Sequence, residues 1–136
     1  MIKEFKCHTI AGGEQVVEGK ALVSPESVCF YMVDFKTGVV KEEGHALDGV
    51  SLKDVILVIP SGKGSSVVQD EGLFGMQQNN AGPKAIIVKT PDTVLVAGCI
   101  VFDYPLLDRL DDDFNKLVKD GDQIKVDCKA GTITVN

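Results

Sequence analysis

The sequence predicts a β-rich α/β domain, and three observations carry that expectation. The apolar run Val55-Ile56-Leu57-Val58-Ile59 ends at Pro60. The small, flexible stretch Ser61-Gly62-Lys63-Gly64-Ser65-Ser66 follows it, and then a segment compatible with helix from Val67 to Asn79. A second apolar run, Ala85-Ile86-Ile87-Val88, comes after Asn80-Ala81-Gly82-Pro83. The order strand, loop, helix, strand is the crossover that parallel strands require. Lastly, Ile124–Asp127 and Thr132–Val135 alternate around Ala130-Gly131, as the two arms of a hairpin do. A parallel unit therefore sits inside the chain and antiparallel strands flank it.

In chain order, residues 3–10 read as a first strand closed by the turn Ala11-Gly12-Gly13. Val16–Val23 is a longer strand, in which Gly19 marks a bulge or the close approach of another backbone. Ser24-Pro25 breaks it. Val28–Val33 is apolar and rich in β-formers, so it reads as a strand. Asp34–Gly38 turns the chain so that Val39-Val40 can pair back, and Glu43–Gly49 is loop.

Beyond the crossover, Thr90-Pro91-Asp92 is a turn. A short apolar run at Val94–Ala97 continues from Gly98 to Tyr104, where Pro105 interrupts it. Asp111-Asp112-Asp113 suits a helix N-terminus through capping and the macrodipole, with Phe114, Leu117 and Val118 on one face and Gly121 placed to end the helix. The pattern gives many strands and about two helices. Gly72 and Gly75 weaken the crossover helix by about 1 kcal/mol each relative to Ala, so close packing against the sheet is the expected compensation. With no repeat, low-complexity tract or linker, residues 1–136 read as one domain.

Composition narrows the function. Apolar residues make up 44% and charged residues 25%, as in folded soluble proteins, and the net charge is −6 without an acidic tail. No basic stripe is present to neutralise phosphates, which argues against nucleic acid as a partner. No run approaches the ~20 apolar residues of a membrane span, and the first residues lack the long apolar region of a signal peptide, so a cytoplasmic protein is expected. The four cysteines, Cys7, Cys29, Cys99 and Cys128, are too dispersed for a close-spaced metal knuckle, and they read as reduced structural thiols.

The loop after the central strand carries the chemistry. Open sheets place ligands at the carboxyl ends of their parallel strands. Gly62 and Gly64 permit backbone angles and close approaches that a β-carbon forbids. If Ser65 or Ser66 caps the helix, unpaired amides point into the loop, and the helix dipole favours an anion there. Lys63 adds a mobile positive charge. A carboxylate or a phosphate suits such a site; a solvated turn with an ordinary N-cap is the plainer alternative. The stretch is not a nucleotide P-loop, because Lys63 is followed by Gly64 and Val58 stands five residues before it.

Three patches together resemble the swivelling domain of the aconitase X family. They are Gly19-Lys20-Ala21-Leu22-Val23-Ser24; Pro60-Ser61-Gly62-Lys63-Gly64-Ser65-Ser66 with Asn80-Ala81-Gly82-Pro83-Lys84-Ala85-Ile86-Ile87; and Pro105-Leu106-Leu107-Asp108-Arg109-Leu110. The second half of the middle patch departs slightly from the family's Asn-Gly-x-Ala-Pro pattern. The resemblance spans nearly the whole chain and implies a swivelling β/β/α fold.

It also implies the small subunit of an iron–sulfur hydro-lyase that dehydrates a small hydroxy acid, such as mevalonate 5-phosphate or hydroxyproline. The active site would be shared with a large subunit that holds the cluster, so this chain would bind no cofactor itself. By the same resemblance Ser65 is the catalytic base, and Gly62, Lys63, Gly64 and Ser66 are substrate contacts. A serine hydroxyl is too weak an acid to serve unassisted, and loop amides, a helix N-terminus and a nearby cation all lower its pKa.

Arg109 beside Asp108 suits a bidentate grip on a substrate carboxylate, with an ion pair at the start of the acidic helix as the alternative. His8 reads as a surface imidazole, and His45 as a solvent-facing one. A stand-alone small-anion-binding domain without catalysis is the competing function class.

Overall fold

The computed structural model describes residues 2–136, within which there are eight strands and three helices. The strands are β1 (Lys3–Lys6), β2 (His8–Ala11), β3 (Val16–Val23), β4 (Ile56–Ile59), β5 (Ala85–Val88), β6 (Leu106–Asp108), β7 (Gln123–Asp127) and β8 (Thr132–Val135). The helices are α1 (Ser66–Gln78), α2 (Thr93–Phe102) and α3 (Asp112–Leu117). All eight strands join one sheet in the order β1-β8-β7-β3-β4-β5-β6-β2. Neighbours from β3 to β6 run parallel and the remaining pairs antiparallel. The fold is the β-rich α/β arrangement the sequence predicts.

One residue, Cys7, separates β1 from β2, yet these strands stand at opposite ends of the order. A flat sheet of that width cannot satisfy a one-residue link. Twist curls the sheet until its two ends meet, and it becomes nearly a barrel. The seam is tied by Cys7 N–H donating to the Gly131 carbonyl (2.9 Å) and Thr9 Oγ1 donating to the Cys128 carbonyl (2.8 Å).

Alternation then sorts the side chains. Ile56, Val58, Ile87, Leu107, Val126 and Ile133 fill the interior, and Phe114 of α3 joins them. Leu57, Ile59, Ile86 and Val88 face outward, under Leu73 and Met76 of α1 and Leu95 and Cys99 of α2. Both faces of β4 and β5 are therefore buried, and this is why each reads as an unbroken apolar run.

Four local expectations are corrected. Residues 3–10 are two strands on opposite edges, because Cys7 turns the chain from β8 to β6. Val28–Val33 is not a strand; only isolated bridges form at Val28 and Val33, and Phe30 is apolar because it is fully buried beneath α1. The run from Val94 to Tyr104 holds a third helix, capped by the Asp92 carboxylate accepting from Val94 N–H (3.3 Å). Its near-continuous apolarity hides the helical period. Helix α3 ends at Leu117, and Gly121 (φ +89°) instead serves the turn into β7.

The glycine expectations hold with one change. A β-carbon on Gly19 would meet the Asp54 carbonyl at 2.7 Å, so another backbone does approach there. A β-carbon on Gly72 would run into the Phe30 carbonyl, and one on Gly75 would meet the Phe35 ring at 2.5 Å, so both glycines let α1 pack closely. Their neighbour is the irregular segment around residues 30–35 rather than the sheet. Ordinarily Gly→Ala inside a helix gains about 1 kcal/mol. At Gly72 the new methyl would displace backbone, so Gly72→Ala should lower stability by about 1–3 kcal/mol in urea denaturation.

All four thiols are free. Burial pushes Cys99 from its ordinary 9.0 up to about 12. Burial, then the neighbouring Cys128 and Asp108, raises Cys7 to about 11. The folded chain thus keeps protons that the unfolded chain loses above about pH 9, and stability should be full below that pH and fall as pH rises toward 11–12. Melting temperatures between pH 8 and 11 test this, and Cys99→Ala should flatten the decline.

Candidate functional site

The loop predicted to carry the chemistry leaves the carboxyl tip of β4 and ends at α1, on the outer face of the sheet. Ser65 is the N-cap of α1, with φ −73° and ψ 170°. Its Oγ accepts from Val68 N–H at 3.5 Å, a long contact that leaves the hydroxyl proton and a lone pair uncommitted. The residue is exposed. Among the described residues, the N–H groups of Gly64, Ser65, Ser66 and Val67 find no acceptor. The sequence-predicted amide cluster is present. Such a cluster attracts negative charge and stabilises an oxyanion.

The loop is pinned from several sides. Val28 forms a parallel bridge to Gly62: Val28 N–H donates to the Ser61 carbonyl (3.3 Å) and Lys63 N–H donates to the Val28 carbonyl (3.1 Å). The Ser27 and Ser61 hydroxyls are hydrogen-bonded at 2.9 Å. His45 braces Ser27 from behind. Leu47 N–H donates to His45 Nδ1 (2.9 Å), so the ring proton sits on Nε2 and is donated to the Ser27 carbonyl (2.9 Å). His45 is therefore a buried structural residue, not the solvent-facing one expected from its glycine-flanked position. Lys63 Nζ is paired with Glu42 at 2.7 Å, which offsets its charge.

Gly64 has φ +108°, which disfavours any residue with a β-carbon. Gly62 is required for a different reason: its missing side chain leaves room for the amide of Gln69. Gln69 is fully buried. Its Nε2 donates to the Gly64 carbonyl (2.9 Å) and to Asp92 Oδ2 (2.8 Å), joining the loop to the cap of α2. Gln69 Oε1 has no partner. Sequence reasoning missed Gln69 and Asp92, although a signal existed: Gln69 shares the buried helix face of Leu73 and Met76, where a polar residue is out of place.

Arg109 lies elsewhere at the same end of the sheet. It follows β6 with φ +59° and lines a cleft with Lys89, Asp112 and Asn115 at the interior edge. Among the described residues it forms no ion pair, and its neighbour Asp108 is instead paired with His8 Nδ1 at 2.8 Å. The structure thus brings Gly62, Lys63, Gly64, Ser65 and Ser66 together and leaves Arg109 on the other face of the strand tips. Among the described residues, no three of His, Cys, Asp and Glu converge as a metal or cluster would need.

The family model described as the aconitase X swivel domain matches residues 4–135. The chain belongs to the aconitase X swivel-domain family. A phosphomevalonate dehydratase small subunit from Methanococcoides burtonii is 41% identical over 131 residues, covering 96% of this chain and 93% of the relative. One from Methanosarcina mazei is 38% identical, covering 96% and 89%. The crystal structure of Thermococcus kodakaraensis aconitase X in its holo form superposes with a TM-score of 0.87 at 33% identity, covering 98% of both chains. The swivel-domain fold inferred from the three sequence patches is therefore established. This swivel domain exposes Val67 and Phe74 of α1 and Ile100 and Val101 of α2. No helix among the described residues is long and apolar enough to cross a membrane.

Gln69→Leu keeps the volume but strands the Gly64 carbonyl and the Asp92 carboxylate. It should destabilise the fold by about 1–3 kcal/mol in chemical denaturation. Amide exchange should also quicken at Gly62–Ser66 if Gln69 is what holds the loop.

Proposed function

We propose that the chain is the small subunit of a two-subunit dehydratase, and that Ser65 supplies the base to a site shared with a large subunit. The observation that carries this reading is an exposed serine hydroxyl, loosely held at the N-cap of α1 and surrounded by amide N–H groups without acceptors. The names of the similar proteins support the reaction class, a small hydroxy acid losing water, with mevalonate 5-phosphate or a close analogue as substrate.

The chemistry asks for a proton to leave the carbon beside a carboxylate. That C–H bond breaks toward Ser65 Oγ. Its electron pair becomes the carbon–carbon double bond, and the hydroxyl on the next carbon leaves, taking up a proton to become water. Ser65 can accept the proton only as an alkoxide or near-alkoxide. The free amides of Gly64, Ser66 and Val67 and the amino end of the 13-residue helix α1 stabilise that charge.

Gly62, Gly64 and Ser66 offer backbone contacts to a substrate carboxylate, and Lys63, tethered to Glu42, sets the positive rim of the loop. Arg109 meets an anionic group from the strand tips. Among the described residues no three of His, Cys, Asp and Glu converge, and this reading assigns the iron–sulfur cluster to the large subunit. The exposed apolar side chains of Val67, Phe74, Ile100 and Val101 fit a face covered by that partner.

Reconstitution with the large subunit, followed by dehydration assays, tests the proposal. Ser65→Ala should leave the complex assembled, as judged by gel filtration, and lower turnover by about a thousandfold, within the range for a lost general base. Undiminished turnover would remove Ser65 from the reaction. A chain that binds small anions but never yields a dehydrating complex would favour the non-catalytic alternative.

A further inference from the structure

The interior edge of the strand tips holds a site that the serine loop does not account for. Two cavities of about 210 and 300 Å³ adjoin there, at the carboxyl ends of the parallel strands β3 to β6 and beneath α3. They share Val58, Ile59, Lys89 and Asn115, so together they form one groove across the barrel mouth with Lys89 in its middle. Mouths of barrels and carboxyl ends of parallel strands are where such folds take ligands.

Both cations line it: Lys89 directly follows the tip of β5 and Arg109 the tip of the neighbouring β6. Among the described residues neither cation has an acidic partner within ion-pair distance: Asp108 is paired with His8, while Lys63 and Lys41 hold Glu42 and Asp34. Arg109 is also held at φ +59°, a left-handed backbone that costs a residue with a β-carbon of order 1 kcal/mol and is found preferentially at ligand sites.

One carboxylate, Asp112, lines the same groove, so the two cations still leave an excess of positive charge. Asn115 adds a neutral polar group that both cavities share.

We infer that this groove binds a phosphate monoester dianion, held by Lys89 and Arg109. A lone carboxylate is matched by one guanidinium fork, whereas a fork plus a separate ammonium on the next strand matches a doubly charged, three-oxygen group. Pro60 links the groove to the serine loop, because its carbonyl accepts from Lys89 N–H (3.2 Å) and Thr90 N–H (3.0 Å) at the point where the loop departs. A substrate anchored by its phosphoryl group in the mouth extends past Pro60 toward Ser65. The ligand's identity as the substrate rests on the dehydratase reading; the geometry of the groove does not.

The test is a titration of the full chain with inorganic phosphate, followed by amide NMR, with chloride at matched ionic strength as the control. Saturable shifts centred on Lys89, Arg109 and Asn115 are expected with phosphate and not with chloride. Lys89→Met, and Arg109→Asn (a residue that tolerates the left-handed backbone), should each weaken binding by about tenfold or more, the loss of one charge-assisted contact. Asp112→Asn should tighten it.

Equal shifts from chloride, the absence of saturable shifts in the groove, or undiminished phosphate binding by both charge-removing variants would overturn the inference. In the reconstituted enzyme, Lys89→Met should raise KM for a phosphorylated hydroxy acid while kcat falls much less. An inactive complex would count against the dehydratase reading and leave the phosphate titration to decide the groove.

Discussion

A single residue between β1 and β2 constrains everything else in this fold. Those strands belong to opposite edges of an eight-strand order, and Cys7 alone must span them. The sheet answers by curling on itself, which gives it an inside and an outside. The outside carries α1 and α2; the inside is closed at one end by Phe114 of α3. All four parallel strands deliver their carboxyl tips to that same end. The serine loop and the groove cations Lys89 and Arg109 are therefore at one end of the barrel by topology, although no motif joins them in sequence.

The loop itself shows how a flexible composition becomes a fixed geometry. Ser61-Gly62-Lys63-Gly64 has the letters of a mobile turn, yet backbone bridges from Val28, the Ser27–Ser61 contact, the Lys63–Glu42 pair and the buried amide of Gln69 restrain it. Gly62 serves there to admit Gln69 and Gly64 to allow a positive φ, rather than to confer motion. An oxyanion site needs such restraint, since dipoles that must reorganise during reaction contribute little to lowering the barrier.

Much of the fold was legible. The crossover from β4 through α1 to β5 and the terminal hairpin both follow from runs and alternation, because each is a local pattern. What was not legible depended on distant packing. Val28–Val33 has the composition of a strand, but its apolar side chains answer to α1 rather than to a ladder. Helix α2 is apolar on nearly every position, so its period carries no contrast.

The site divides the same way. Gly62 through Ser66 are consecutive and were visible as a group. Gln69 and Lys89 each stood alone in the sequence, and only the fold shows that one grips the loop and the other faces the groove. His45 was misread because a glycine-flanked loop position suggests solvent, whereas its ring is enclosed by the segments it braces.

The pairing of β1 with β8 has one more consequence. Lys3 stands opposite Val135, so the first and last strands lie side by side. A tether to a bigger polypeptide would depart from one spot on the surface whichever end it used. Joining the existing ends with a short peptide and opening the chain at an exposed turn would leave every strand neighbour unchanged. Connectivity to a companion protein is thus a nearly free variable for this architecture.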